Sequence, residues 1–319
     1  MRTGALTRYL MLALALAIAV PGLAGAQSGT SMADIGPVVD AGWALDHQDD
    51  VTLINVSRRP SNYEETGFIA GAPFVGMGEF LTERPGLKGT IRYLAPTAGQ
   101  FETVMQGLGV DAGDMVVIAP AGTTVYGDAT VASRLYWQLK YFGHDNVAIL
   151  DGGVAAWDAA GGEVSDSPAA SPGGGSYTAG EPRGELLATT AEVEAVIAGD
   201  EAAQLVDNRP LPQFTGVMSK DYVDGSGHLP AARPVPFNLF VAPREGVVYW
   251  RTPDEVRGIV SAMLPGVEGR IIDYCNSGHV SSLAWFAMSE IGGMADVALY
   301  DGSLHEWTLD GERSLVIGQ

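Results

Sequence analysis

Cys275 is the single cysteine of the chain, and its thiolate form is the residue best suited to act as a nucleophile. It follows a short apolar segment of β type, residues 271–274, and precedes a segment with apolar residues at helical spacing that ends at Gly292 and Gly293. The thiol is therefore predicted on a loop, residues 275–280, where a strand stops and a helix starts. Free backbone N–H groups there would point at a negatively charged sulfur. A lone cysteine can also be a small buried hydrophobic residue, and position alone leaves both interpretations open.

Residues 1–26 have the features of a secretory signal peptide. Arg2 and Arg8 precede an apolar run over residues 9–20, and small residues up to Ala26 form a cleavage pattern. The run is too short for a comfortable membrane span. We therefore expect a soluble exported protein, with the periplasm as its location. Removing two arginines and no acidic residue changes the net charge from −20 to −22.

An acidic surface and an unpaired thiol narrow the function further. A strongly negative protein repels nucleic acid and anionic lipid, so neither nucleic acid nor a membrane is an expected partner. One cysteine permits no internal disulfide, and an unpaired thiol in an oxidising compartment invites unwanted pairing. Its presence there favours a working thiol. The histidines show no metal-ligand spacing and no nucleotide-binding glycine pattern occurs, so we expect no metal and no cofactor.

Apolar runs of strand length alternate with helical patterns, which predicts parallel sheets covered by helices. The predicted strands include residues 51–56, 115–119, 146–150 and 271–274. The predicted helices include residues 97–108, 129–142 and 191–198, the last opened by a capping box of Thr189 and Glu192. Between them, residues 163–187 are rich in Pro, Gly, Ser and Ala, which indicates a linker.

The second half of the chain repeats the first. An Asp-Gly element with a tryptophan six residues after its aspartate occurs at Asp151 and again at Asp301, 150 residues later. Only the second copy contains the cysteine. The predicted organisation is an α/β protein with two tandem domains, each a central parallel sheet flanked by helices. We place the signal peptide at 1–26, a first domain without the catalytic cysteine at 27–162, the linker at 163–187 and the catalytic domain at 188–319.

Four motifs together resemble the tandem rhodanese (sulfurtransferase) family. They are Asp207-x-Arg209, Gly227-His-Leu-Pro-Ala-Ala232, a strand ending in Tyr274-Cys275, and the Leu-Asp-Gly-Gly-x-x-Ala-Trp type element found twice. The resemblance implies two rhodanese-like domains with the active site at their interface, in the second half. It also implies a sulfurtransferase that moves sulfane sulfur from a small donor, thiosulfate or 3-mercaptopyruvate, to a thiol or cyanide through a persulfide on Cys275. A protein could also accept the sulfur.

In such an enzyme the persulfide would lie in the loop after the cysteine. Thiosulfate-using members typically carry C-R-K-G-V-T there and mercaptopyruvate-using members C-G-S-G-V-T, and this loop matches the second type at two positions. Mercaptopyruvate-using members also tend to have an arginine where this chain has Gln213. We expect mercaptopyruvate-like or organic persulfide donors to outperform thiosulfate. The candidate persulfide-binding residues are Asn276, Ser277, Gly278, His279 and Val280.

Three loop residues have specific predicted roles. Gly278 would let the backbone curl with a positive φ. Ser277 would either hydrogen-bond a donor oxygen or cap the following helix. His279 would supply positive charge or a proton in place of the missing basic residues, unless it faces solvent.

Two arginines are candidates for substrate binding. Arg209 would reach a donor anion or form a structural ion pair with Asp207, and the sequence leaves both open. Arg233 is a weaker candidate of the same kind.

Three other functions compete with this interpretation. A phosphatase of the same fold needs Cys-x5-Arg to grip phosphate, but Ser281 stands at that position. A persulfide carrier with little turnover on small donors is the main alternative, motivated by the unusual loop. A structural pair of domains with an inert thiol is the last.

Overall fold

Two five-stranded parallel sheets, one in each half of the chain, form the frame of this computed structural model, which describes residues 35–318. The predicted signal peptide lies outside that range, so export stays a prediction. Within the described residues no helix is both long enough and apolar enough to cross a bilayer.

The first half alternates strands with helices over about 130 residues. Its elements are β1 (Val38–Val39), α1 (Ala41–Asp46), β2 (Thr52–Ser57), β3 (Phe68–Ile69), β4 (Phe74–Gly76), β5 (Thr82–Gly86), β6 (Gly89–Leu94), α2 (Ala98–Gly107), β7 (Val116–Ala119), α3 (Thr130–Tyr141), β8 (Val147–Leu150), α4 (Gly153–Ala159) and β9 (Val164–Ser165).

The second half follows the same plan and contains the cysteine. Its elements are β10 (Leu187–Ala188), α5 (Thr190–Ala198), β11 (Ala203–Asp207), α6 (Leu211–Phe214), β12 (Arg233–Pro234), β13 (Val241–Arg244), β14 (Val247–Trp250), α7 (Pro253–Met263), β15 (Arg270–Tyr274), α8 (His279–Trp285), β16 (Val297–Tyr300) and α9 (Ser303–Leu309).

The two sheets have matching strand orders, β1-β8-β7-β2-β4 and β10-β16-β15-β11-β12. All neighbouring strands within them are parallel. This confirms the predicted α/β class with a parallel sheet in each half. Strands β7 and β8 are buried along their whole length, which explains why they are continuous apolar runs rather than alternating ones.

The segment between the halves has structure of its own. Strand β9 pairs antiparallel with β3 of the first half. Further along, Tyr177 is buried against Phe101, with ring centroids 5.7 Å apart. The predicted linker therefore packs against the first half, and the predicted domain boundaries stay predictions.

Helix α5 begins as expected, but its capping box is incomplete. The Thr189 hydroxyl accepts from the Glu192 amide at 3.2 Å. The Glu192 carboxylate, however, accepts from Arg270 Nε at 2.6 Å rather than returning to the cap. An ion pair with a neighbouring strand has replaced the second half of the predicted box.

Helices α3 and α8 place the two halves against each other. They belong to one continuous apolar core that includes residues of both sheets. Tyr136 of α3 packs edge-on against Phe286, the residue after α8, with ring centroids 4.6 Å apart. Full burial of each such side chain contributes about 1.5–3 kcal/mol.

The repeated Asp-Gly element joins the halves in both directions. Asp301 accepts a hydrogen bond at 2.8 Å from the amide of Ala95, just after the hairpin β5–β6 of the first half. Asp151 accepts one at 2.9 Å from the amide of Trp250, at the end of the hairpin β13–β14 of the second half. Each half thus holds the hairpin of the other through the equivalent aspartate of its own copy of the element.

Candidate functional site

Cys275 directly follows the last residue of β15 and precedes the start of α8. The helix begins at His279, two residues before its predicted start. The loop between β15 and α8, which we call the cysteine loop, therefore comprises only residues 275–278. Cys275 is 1% exposed. It nevertheless lines a cavity of about 260 Å³, which we call the cysteine cavity. A thiol enclosed in this way can react with a small molecule that enters the cavity.

The start of α9 holds the cysteine loop through Ser303. Its hydroxyl oxygen accepts from the amides of Cys275 and Gly278, both at 3.1 Å, and donates to the Tyr300 carbonyl at 2.7 Å. The amide of His305 donates to the Asn276 carbonyl at 2.8 Å. These bonds fix the loop conformation from an element that lies almost thirty residues later in the chain.

One side-chain hydroxyl donates to the sulfur, and the first turn of α8 follows close behind it in the chain. The Ser281 hydroxyl donates to Cys275 Sγ at 3.3 Å. The amides of His279, Val280 and Ser281 form the first turn of α8 and have no acceptor within the helix. Ser281 occupies the place where a phosphatase would need its arginine, so the phosphate clamp is missing.

The strand that carries the cysteine also contains a buried acid, Asp273. Burial raises its pKa well above the usual range, which favours the uncharged form. The uncharged Asp273 therefore does not repel a thiolate at Cys275, the residue that follows the strand.

Gly278 has the predicted positive φ, +70°, and a second reason to be glycine. A Cβ at this position would lie 2.5 Å from Asp301 Oδ1 and 2.8 Å from its carbonyl oxygen. Gly278 is also the N-cap of α8, without a side-chain cap bond. Ser277 therefore does not cap the helix. Its hydroxyl lies 3.5 Å from the Tyr222 hydroxyl and lines the cysteine cavity, where it can contact a donor.

The interpretation of His279 as a cation is wrong, and so is its alternative as a solvent-facing residue. The ring is 6% exposed. Its Nε2 lies 2.9 Å from Thr130 Oγ1 of α3 and 3.4 Å from the carbonyl of Tyr126. Burial, together with the positive charge of Arg58, lowers the pKa of His279 to about 3. The side chain lines the cavity as a neutral group.

A depressed histidine pKa has a measurable effect on stability. Between the unfolded value of about 6.5 and the folded value of about 3, the unfolded chain takes up a proton that the folded chain does not. This contribution to stability is therefore complete above pH 6.5 and falls as the pH drops, by up to about 1.4 kcal/mol per pH unit. We expect His279→Gln to depend less on pH than the wild type in urea unfolding between pH 6.5 and 4.5. Parallel pH profiles for the two proteins would contradict a buried neutral histidine.

Arg209 forms a structural ion pair and supports the loop. The side chain is buried and grips Asp207, with Nη2 2.6 Å from Oδ2 and Nε 2.9 Å from Oδ1. Nη2 also donates to the Gly227 carbonyl at 2.7 Å, and Nη1 lies 3.5 Å from Asn276 Oδ1. This geometry favours the structural alternative, since Arg209 does not line the cysteine cavity.

Arg233 lies outside the site. It is exposed at the edge strand β12 and lines a different surface pocket, together with Gln204 and Glu268. The prediction that Arg233 binds substrate is wrong, because the pocket that Arg233 lines contains no residue of the cysteine loop.

Most of the cavity wall comes from residues that the sequence analysis did not assign to the site. Gln213, noted earlier only as a departure from the family pattern, accepts from Asn276 Nδ2 at 2.8 Å. The remaining residues were not assigned to the site from the sequence, and they come from separate segments of the chain. The wall consists of Cys275, Asn276, Ser277, His279 and Val280 together with Tyr126, Pro210, Gln213, Lys220, Tyr222 and Phe237.

A second cavity of about 180 Å³ adjoins the first and shares five residues with it. It lacks Cys275 but includes Arg58, which follows β2 of the first half at its C-terminal end, and we call it the arginine cavity. Its shared residues are Tyr126, Lys220, Tyr222, Ser277 and His279. The site is therefore built from both halves of the chain.

A larger cavity, of about 580 Å³, lies elsewhere and is lined by Thr97, Gln100 and Glu306 among others. It contains neither Cys275 nor any residue of the cysteine loop, so we do not assign the sulfur chemistry to it. Within residues 35–318, no three His, Cys, Asp or Glu side chains group closely enough to hold a metal ion.

Comparisons with known proteins identify the family. A rhodanese-like domain model matches residues 189–310, which include the cysteine loop. A protein of Haloferax volcanii named putative thiosulfate sulfurtransferase is 31% identical over 220 residues, 66% of this chain and 72% of that protein. A probable 3-mercaptopyruvate sulfurtransferase of Pseudomonas aeruginosa is 31% identical over 268 residues, 80% and 86% of the two chains. The structure of the Escherichia coli 3-mercaptopyruvate sulfotransferase SseA superposes with a TM-score of 0.69 at 25% identity, covering 84% of this chain and 99% of that one.

Proposed function

The chain belongs to the rhodanese family and is a sulfurtransferase, and from this premise we propose that Cys275 carries the transferred sulfur as a persulfide. The observation that carries the proposal is the enclosed thiol at the cysteine cavity, with the Ser281 hydroxyl on its sulfur. The thiolate is the nucleophilic form of cysteine, and the cavity lets a small donor reach it.

The first half-reaction loads the cysteine. With 3-mercaptopyruvate, the Cys275 thiolate attacks the donor sulfur, an S–S bond forms and the C–S bond breaks. The electron pair of the C–S bond leaves on the enolate of pyruvate, which then takes up a proton. With thiosulfate the same attack would release sulfite. Unpaired N–H groups at the start of α8 support the negative charge on the sulfur during this step.

The second half-reaction removes the transferred sulfur from Cys275. A thiolate acceptor attacks the outer sulfur of the persulfide, and the S–S bond breaks to regenerate the Cys275 thiolate. The acceptor leaves as a persulfide, or as thiocyanate when cyanide is the acceptor. This two-step covalent mechanism predicts ping-pong kinetics.

The donor that fits the cysteine cavity best is an organic thiol with one carboxylate, of the 3-mercaptopyruvate type. The loop after Cys275 offers neutral groups, since His279 is uncharged, and Lys220 is the basic residue of the wall. Ser277 and Gln213 present uncharged polar groups suited to a keto or carboxylate oxygen. A compact dianion such as thiosulfate would find fewer cationic partners here.

The donor preference is tested by kinetics with both donors. We expect kcat/KM for 3-mercaptopyruvate to exceed that for thiosulfate at least about tenfold at pH 8, because the loop lacks a charge-assisted bond worth about 1.5–3 kcal/mol. The ratio should be the same in His279→Gln and should not narrow near pH 6.5, because this histidine does not charge there. The intact mass of the protein after incubation with donor should rise by one sulfur atom.

The outcomes separate the possibilities. A thiosulfate preference at pH 8 would contradict the donor assignment alone. A gain of sulfur without turnover would describe a persulfide carrier instead of an enzyme that uses small donors. No gain with either donor would contradict the role proposed for Cys275.

A further inference from the structure

Two cations of the arginine cavity, one from each half of the chain, flank the ring of Tyr126. Arg58 Cζ lies 4.8 Å from the ring centroid, and Arg58 Nη2 donates to the Tyr126 hydroxyl at 3.3 Å. Lys220 Nζ lies 5.8 Å from the same centroid. Such cation–π contacts fix the positions of the charges without neutralising them.

Neither cation has an acidic partner among the residues that the structure describes. The chain has 38 acidic residues and 18 lysines and arginines, and most of the described cations form an ion pair, although Arg59, Arg233 and Arg244 also lack one. Yet among the described residues no carboxylate oxygen lies within 4.0 Å of a nitrogen of Arg58 or Lys220. Two charges left free at one cavity indicate a site for an anion.

The remaining residues of the arginine cavity favour an organic anion with a small net charge. Asp221 also lines the arginine cavity, and His279 is neutral, so the ionised groups sum to a single positive charge. Tyr93 and Tyr222 cover one side, with ring centroids 5.5 Å apart, and Met77 and Leu81 add apolar surface. Tyr93 has a φ of +67°, a strained backbone of the kind that collects at ligand sites.

We propose that the arginine cavity binds the sulfur acceptor, a small thiol whose carboxylate lies several bonds from its sulfur, through Arg58 and Lys220. The inference rests on the proposed function and extends it to the second substrate. A small donor must place its sulfur on Cys275, which lines only the cysteine cavity, and Lys220 is the cation that this cavity shares with the arginine cavity. The outer sulfur of the persulfide lies one S–S bond, about 2 Å, beyond Cys275 Sγ. An acceptor that attacks that sulfur extends further, toward Arg58.

The transfer itself needs no further reactant. The acceptor thiolate bonds to the outer sulfur, the persulfide S–S bond breaks, and its electron pair returns to Cys275. Arg58 and Lys220 hold the remote carboxylate and take no part in bond making, so their loss should raise KM for the acceptor more than it lowers kcat.

The test compares a carboxylate-bearing acceptor, glutathione, with an uncharged one, dithiothreitol. Arg58→Gln should lower kcat/KM for glutathione about tenfold, mainly through KM, and leave that for dithiothreitol within about twofold. Lys220→Gln should lower kcat/KM for glutathione by a similar factor. In Arg58→Gln, kcat/KM for the donor should also stay within about twofold. Arg59→Gln is the matched control, because Arg59 is the exposed neighbour that lines neither cavity, and it should match the wild type.

A binding measurement separates this inference from the proposed function. S-methylglutathione carries the same carboxylates but cannot accept sulfur, so calorimetric titration reports the site even if no persulfide forms. Binding to the wild type that weakens at least about fivefold in Arg58→Gln, but not in Arg59→Gln, supports the acceptor site. Absence of binding to the wild type, equal losses for both acceptors, or a loss confined to the donor would each overturn it.

Discussion

Replacement of Cys275 by serine is expected to lower kcat/KM for sulfur transfer more than about a thousandfold with either donor, since the nucleophile is lost. A serine oxygen cannot carry sulfane sulfur, and an alcohol is a far weaker nucleophile than a thiolate. The exchange hardly changes side-chain volume, and the Ser281 hydroxyl that now donates to Sγ has an oxygen to donate to instead. We therefore expect the free energy of unfolding to change by no more than about 1 kcal/mol.

Three measurements on this variant check the expectation together. Donor turnover should disappear, donor treatment should add no sulfur to the intact mass, and urea unfolding should stay close to that of the wild type. Activity above about a tenth of wild type would show that another group carries the sulfur. A large loss of stability would show that Cys275 is mainly a packing residue, as its 1% exposure permits.

Four central strands were predictable because each contains consecutive apolar residues that the fold buries. Strands β2, β7, β8 and β15 have four to six residues, and the structure places all four within one or two residues of the prediction. The edge strands β1, β10 and β12 have two residues each, which is too short for any periodic pattern.

The hairpins were not predictable for a different reason. Strand β5 is Thr-Glu-Arg-Pro-Gly, with three exposed residues at its centre, so local propensity argues against a strand. It is held by pairing with β6, whose following residue Ala95 bonds to Asp301 of the other half. The repeated aspartate was visible in the sequence, but its partner was not.

At the site, the sequence predicted features that depend on the local backbone. It did not predict features that depend on packing between distant parts of the chain. Gly278 was correctly expected at a positive φ because a tight loop before a helix favours glycine. His279 was misinterpreted since its neutrality depends on burial against Thr130, about 150 residues earlier in the chain. Arg58 was not assigned to the site, because its position next to Tyr126 exists only in the folded chain.

Arg134→Met is expected to destabilise the protein by about 3–5 kcal/mol, the usual cost of leaving one member of a buried ion pair without its partner. Arg134, on α3 of the first half, reaches Asp301 of the second half at 2.5 Å, with side chains 1% and 9% exposed. The same guanidinium donates to the Gly278 carbonyl at 3.3 Å, so the cysteine loop loses a support as well. Methionine keeps the volume and length of the buried stem, which confines the effect to the lost charge and hydrogen bonds.

Two further variants make this expectation specific. Arg183→Met removes a cation from a pair with Asp145, whose side chains are 30% and 55% exposed, and should cost at most about 1 kcal/mol. Adding Asp301→Asn to Arg134→Met removes the stranded charge but keeps an oxygen to accept from the Ala95 amide, so the double variant should be more stable than Arg134→Met alone. If Arg134→Met cost no more than Arg183→Met, the pair would not hold the halves together. If it lost stability but kept full activity, the bond to the Gly278 carbonyl would have no part in shaping the loop that presents the sulfur.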